Sequence, residues 1–162
     1  MQKDILFEET QAVGNKTMRQ FFLVTSFLFV LALLVNLVIQ KGQISNLTRV
    51  LTAGLLFLSL ATIVINVRLV TRIRKDGIYV RYQPFQASFI RFGWNEIEGV
   101  YIREYNAVLE YNGWGIKTGI AGRSYTAGGN TGLQLELRNG TRVLIGTRQP
   151  EKLQQLITSL MG

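Results

Sequence analysis

Residues 21–39, FFLVTSFLFVLALLVNLVI, and residues 50–70, VLTAGLLFLSLATIVINVRLV, decide the reading of this chain. The first holds no charge. The second holds only Arg68, close enough to its end for the side chain to reach a headgroup layer. Each has the length a helix needs to cross a bilayer core, on the order of 20 residues. The polar link between them, Gln40–Arg49, is short enough to make an antiparallel hairpin. A soluble protein would have to cover two fully apolar helices, and the rest of a 162-residue chain is too short to do so. The expected fold class is therefore a membrane α-helical hairpin plus one modest folded domain.

The chain carries a formal charge of +8 and contains neither cysteine nor histidine. Without cysteine there is no disulfide framework and no thiolate chemistry. Without histidine the commonest general base and the commonest zinc ligand are missing, which removes most familiar hydrolase and metalloenzyme arrangements. No cofactor and no metal are expected. The location of the charge matters more than its size. Residues 1–20 balance Lys3, Lys16 and Arg19 against Asp4, Glu8 and Glu9. The link and residues 68–76 hold Lys41, Arg49, Arg68, Arg72, Arg74 and Lys75 against Asp76 alone. A membrane segment needs such a basic flank, so the charge requires no nucleic-acid partner.

Residues 1–20 read as a polar cytosolic lead. They do not read as a cleaved signal: acidic residues precede the apolar run, the run is too long for an h-region, and no small-residue cleavage site follows. Lys16 and Arg19 before the first span, with Arg68, Arg72, Arg74 and Lys75 closing the second, outweigh Lys41 and Arg49 in the link. That asymmetry places both termini in the cytoplasm, with the link outside. Asn46-Leu47-Thr48 matches a glycosylation sequon, too near the membrane for use. A fold-back centred near Ile44–Ser45 sets Asn36 opposite Gly54 and Asn66 opposite Thr25. These read as helix–helix glue, because two spans enclose no pathway.

After a basic juxtamembrane linker, residues 71–76, the pattern changes. Apolar positions alternate at Ile78, Val80 and Tyr82, at Val100 and Ile102, and at Leu133, Leu135 and Leu137. A period of two marks half-buried strands. Pro84 separates Gly77–Gln83 from Gln86–Phe92. Asn139-Gly140 joins Leu133–Arg138 to Arg142–Thr147, and Asn112-Gly113 is a second candidate turn. About seven strands are expected over residues 77–147. Residues 150–160 revert to a helix: Leu153, Leu156, Ile157 and Leu160 share one face, Pro150 suits the first helical position, and Glu151 complements the N-terminal dipole. Residues 77–162 thus read as a PH-like (pleckstrin-homology-like) domain, a partly open antiparallel barrel capped by its C-terminal helix.

Several phrases carry a resemblance: DGIYVRYQPF at 76–85, WNEI at 94–97, the run from REY at 103–105 to EYNGWGIK at 110–117, and IGTRQPE at 145–151. Together they resemble bacterial membrane proteins with two N-terminal spans followed by a PH-like domain. The resemblance covers most of residues 20–160. It implies a fold, a topology and the bacterial inner membrane, and it supplies no ligand and no catalytic residues.

The glycine-rich stretch 113–132 lacks the strand-to-helix junction and the spacing of a phosphate cradle, and reads as short strands and tight turns. Arg103 precedes it, Lys117 and Arg123 lie along it, and Trp114 sits in a bend between two glycines. These four are the candidates for an anionic headgroup or an acidic partner. Arg68, Arg72, Arg74 and Lys75 are the candidates for juxtamembrane lipid contact. The function expected is a non-enzymatic, membrane-anchored module that binds a protein partner, a second copy of itself, or anionic lipid. The alternative is a small membrane enzyme acting on a lipid or envelope precursor, with a pocket in which Glu96 or Glu110 has a raised pKa.

Overall fold

The computed structural model describes residues 5–12, 16–39, 41 and 46–161. It divides into two compact units. One runs Val13–Val67, and the other joins Met1–Ala12 to Arg68–Gly162.

The first unit is a helical hairpin of α1, Lys16–Ile39, and α2, Asn46–Ile65. Within α1, Gln20–Ile39 is long and apolar enough to cross a membrane, with mean hydropathy 2.7. The apolar part of α2, Asn46–Thr62, is shorter. Hydroxyls inside the helices donate to carbonyls one turn back: Thr25 to Phe21, Thr52 to Thr48, Ser59 to Leu55 and Thr62 to Leu58. That leaves no hydroxyl on these positions in need of an outside acceptor. The expected polar pairing is corrected. Asn36 is buried and its Oδ1 accepts from Thr48 Oγ1 at 2.8 Å. Gly54 instead faces the Phe29 ring, which fills the space a side chain would take. Asn66 does not reach Thr25; its Nδ2 donates to the Thr62 carbonyl at 2.8 Å. The expected fold-back at Ile44–Ser45 and the side chains of Lys16 and Arg19 lie outside the described residues.

Among the described residues, the second unit holds nine strands and two helices. A four-stranded antiparallel meander comprises β1 (Ile5–Ala12), β2 (Arg68–Arg74), β3 (Gly77–Gln83) and β4 (Ile90–Gly93). A five-stranded sheet has the order β5-β8-β9-β7-β6, from β5 (Ile97–Glu104), β6 (Gly115–Gly119), β7 (Gly122–Thr126), β8 (Thr131–Leu137) and β9 (Arg142–Gly146). Between β5 and β6 lies the short helix α3, Ala107–Tyr111, and α4, Pro150–Met161, packs on β5, β8 and β1. The sheets do not close into a barrel. Their inner faces supply the core: Phe7, Leu69, Ile73, Ile78 and Val80 from one, Leu133, Leu135, Val143 and Ile145 from the other.

The seven strands expected over residues 77–147 are present, with Gly77–Gln83 at its expected bounds. The strand expected at Gln86–Phe92 shortens to Ile90–Gly93. Asn112 is not a hairpin turn: it sits left-handed at φ 60° and caps the end of α3. Three further corrections are larger. Residues 5–12 of the expected lead form an edge strand, in which Phe7, Glu9 and Gln11 are buried. The second helix ends at Ile65 instead of Val70, because Leu69, Thr71 and Ile73 find a core face in β2. Residues 71–76, expected as a linker, complete β2 and the Lys75–Asp76 turn into β3.

Candidate functional site

Register assembles the site. The rows Glu8–Arg72–Tyr79–Arg91 and Thr10–Val70–Arg81 run across the four-stranded sheet. Strand alternation sends Leu69, Thr71 and Ile73 of β2 into the core and Arg68, Arg72 and Arg74 to the opposite face. In β3, Ile78, Val80 and Tyr82 point in, and Tyr79 and Arg81 point out. Five arginines on three strands therefore share one outer face, and Lys75 lies in the turn at its end.

Aromatic rings space the guanidinium groups. Arg72 lies 4.7 Å and Arg81 4.5 Å from the centroid of Phe89, and Arg74 lies 4.9 Å from that of Tyr79. Phe89 and Tyr79 meet edge to face at 6.4 Å. Each such stacked contact is worth about 0.5–1 kcal/mol at a surface. Among the described residues, two acids reach the face. Glu8 takes Arg72 at 2.8 Å, and Asp76 sits 3.6 Å from Arg91 Nε while accepting from the Tyr79 hydroxyl at 2.5 Å. That hydroxyl, more than the arginines, holds the Asp76 carboxyl below the usual carboxylate range, and the same bond raises the Tyr79 phenol. Positive charge remains in excess. The Nε atoms of Arg74 and Arg81 are buried with no acceptor among the described residues.

The residues expected around the glycine-rich stretch are dispersed. Arg103 on β5 is committed internally. Its guanidinium donates to Gln134 Oε1 at 2.9 Å, Glu110 Oε2 at 2.7 Å, the Tyr111 hydroxyl at 2.9 Å and the Glu104 carbonyl at 3.0 Å. It pins α3 over the outer face of the five-stranded sheet, where Tyr105, Ala107, Tyr111 and Leu144 form a small second core. Lys117 is exposed on the edge strand β6. Arg123 lies over the Tyr125 ring at 5.6 Å, on a cleft of about 520 Å³ lined also by Ile120 and Arg142. Trp114 is 53% exposed, and its Nε1 donates to the Gly129 carbonyl at 3.1 Å. The structure brings Arg123 near neither Arg103 nor the arginine face.

Arg68, Arg72, Arg74 and Lys75 do come together, as part of a sheet surface. Arg81, Arg91, Tyr79 and Phe89 belong with them and were not singled out from sequence. The available signal was Asp76-Gly77 between two alternating runs, a hairpin signature that would have set β2 against β3.

The carboxylates bear on acid–base chemistry. Glu96 Oε2 accepts from the Gly93 amide at 2.8 Å, as a corner cap. Glu110 is held below the usual carboxylate range, first by its bond to Arg103. Among the described residues no cluster of acids could hold a metal ion.

A family described as a family of unknown function (DUF6141) matches residues 2–162. No curated protein matches the chain.

Proposed function

The chain belongs to the DUF6141 family, which brings no activity with it, and we propose that it is a non-enzymatic, membrane-anchored PH-like module. The helical hairpin holds the β-unit at the cytoplasmic face of a bacterial inner membrane. There the arginine face of β2–β4 docks an acidic protein surface.

The observation that carries this reading is the arginine–aromatic array. From Arg81, level with Val70, to Arg74 the face extends about 13 Å along the strands, and from Arg72 to Arg91 about 10 Å across them. That is longer than a single phosphate headgroup and fits the acidic face of a macromolecule. Rings already pack the arginine stems, so little side-chain freedom remains to be lost on docking. Tethering adds local concentration, so weak contacts suffice.

Connectivity supports the topology. Without the helices, β1–β4 is a continuous meander, and β5, β8 and β9 form an antiparallel trio followed by α4. This supports a PH-like reading with two insertions: the helical hairpin between β1 and β2, and α3–β6–β7 between β5 and β8. Pairing of β1 with β2 supports this topology, since two crossings would return residues 68–161 to the side of residues 5–12. The enzyme alternative needs a carboxyl that holds its proton near neutrality, and the Glu110 shift runs the other way.

The test is affinity purification of the full chain from native membranes, comparing wild type with Arg72→Glu/Arg81→Glu and with Lys117→Glu/Arg123→Glu. An acidic protein should be retained by the wild type and the second variant and lost by the first. Recovery of nucleic acid in its place would overturn the reading. So would charge-dependent binding to phosphatidylglycerol nanodiscs with no protein recovered.

A further inference from the structure

Register defines two ends of the β-unit. Ala12, Arg68 and Gln83 form one terminal row of the four-stranded sheet, and Arg74, Gly77 and Gly93 form the other. The chain passes to the helices at the first end. Three residues join Ala12 to Lys16, and two join Ile65 to Arg68. The longer of these, four Cα steps from Ala12 to Lys16, spans about 14 Å at most.

That end is aromatic and basic. Phe85 lies two residues past the end of β3, is 63% exposed, and stacks on Tyr82. The Tyr82 hydroxyl donates to the Thr126 carbonyl at 3.1 Å, and Gly115 N donates to Thr126 Oγ1 at 3.1 Å. Those two bonds bring Trp114 to the same end. Arg148 donates to the Ala12 carbonyl at 3.1 Å, so a second arginine stands beside Arg68. The opposite end has a different character. Trp94 is half-buried there and donates to the Arg74 carbonyl at 3.0 Å.

We infer that the Ala12–Arg68 end is a membrane-docking rim, in which Phe85 and Trp114 enter the headgroup layer of the bilayer that holds the hairpin. Arg68 and Arg148 meet lipid phosphates beside them. The inference rests on the membrane reading above. Its physical basis is tether length together with chemistry. A short connection holds this end within reach of the interface, and amphipathic rings flanked by cations are the side chains that partition there. The indole N–H of Trp114 is already satisfied by Gly129, so the ring enters without an unpaired donor. Docked this way, the strands rise from the membrane, and Arg72, Arg74 and Arg91 are presented to the cytoplasm. The rim thereby separates lipid contact from partner contact on one small domain.

The chain holds two tryptophans, one at each end. Full-length Trp94→Phe and Trp114→Phe variants are reconstituted into vesicles containing lipid brominated near the headgroup, and each remaining indole is read by fluorescence. Trp114 emission should fall and Trp94 emission should not. Equal response of the two overturns the rim. The absence of native cysteine provides a second readout that spares both tryptophans. Spin labels on Phe85→Cys and Ile120→Cys, the latter position 93% exposed near Arg142, should report lipid contact at 85 and water at 120. Water at both positions also overturns it. Flotation with the vesicles separates the two failures. A chain that does not float refutes the anchor itself, whereas one that floats with an unquenched Trp114 refutes the rim alone.

Discussion

Glu9 is 4% exposed, and its carboxylate accepts from the Thr147 hydroxyl at 2.7 Å and the Arg148 amide at 2.8 Å. It ties β1 to the segment that leads into α4. Glu9→Ala leaves the buried Thr147 hydroxyl and the half-buried Arg148 amide without this acceptor, and should lower the unfolding free energy by about 1–3 kcal/mol in denaturant titration. Arg103 and Glu110 form a second local device. The folded-state pKa of Glu110 lies below its ordinary 4.5, chiefly through the bond to Arg103. Its stabilising contribution is therefore present above the unfolded pKa and is lost as pH falls through the lower folded value. Thermal stability should fall on acidification below about 4.5, and Arg103→Ala should flatten that dependence. The same variant should leave partner recovery unchanged if the arginine face of β2–β4 is the docking surface.

At the scale of elements, the α3–β6–β7 insertion is held by close approach. A Cβ on Gly119 would strike the Glu110 carbonyl oxygen and the Tyr111 backbone. Gly119→Ala must push the β6–β7 turn away from α3, at about 1–3 kcal/mol, read as a lowered melting temperature. In the helical hairpin, Asn36 and Thr48 are bonded to each other, so their substitutions should not be additive. A cycle of Asn36→Leu, Thr48→Val and the double variant should show coupling of about 0.6–1.7 kcal/mol in detergent unfolding, with membrane insertion intact.

At the scale of the molecule, the β-unit is discontinuous in sequence. Ala12 and Arg68 are register partners, and the whole helical hairpin lies between them in the chain. Joining residues 5–12 directly to 68–161 through an Asn-Gly turn should give a soluble, monomeric domain with cooperative unfolding. Residues 68–161 alone lack Phe7, Glu9 and Gln11, expose the edge of β2, and should aggregate in gel filtration. A fragment starting at Gly77 would lose two strands and is no substitute.

Most of the β-unit was legible along the chain. Leu133, Leu135 and Leu137 announce a strand by alternation, Asn139-Gly140 announces its turn, and Pro150 with Leu153 and Ile157 announces the last helix. These are local signals, because period, turn chemistry and capping act within a few residues. The apolar lengths of 21–39 and 50–62 are equally local. Tertiary structure decided which strands meet. Residues 5–12 become a strand only because β2, some sixty positions later, offers an edge and a core for Phe7. Arg68, Arg72 and Arg74 satisfy a membrane flank and a strand's outer face equally well in sequence, and the register with β3 and β4 is what gathers Arg81, Arg91 and Phe89 beside them. Strand pairing joins residues that are distant along the chain, and its information resides in the fit between faces, which no single stretch contains.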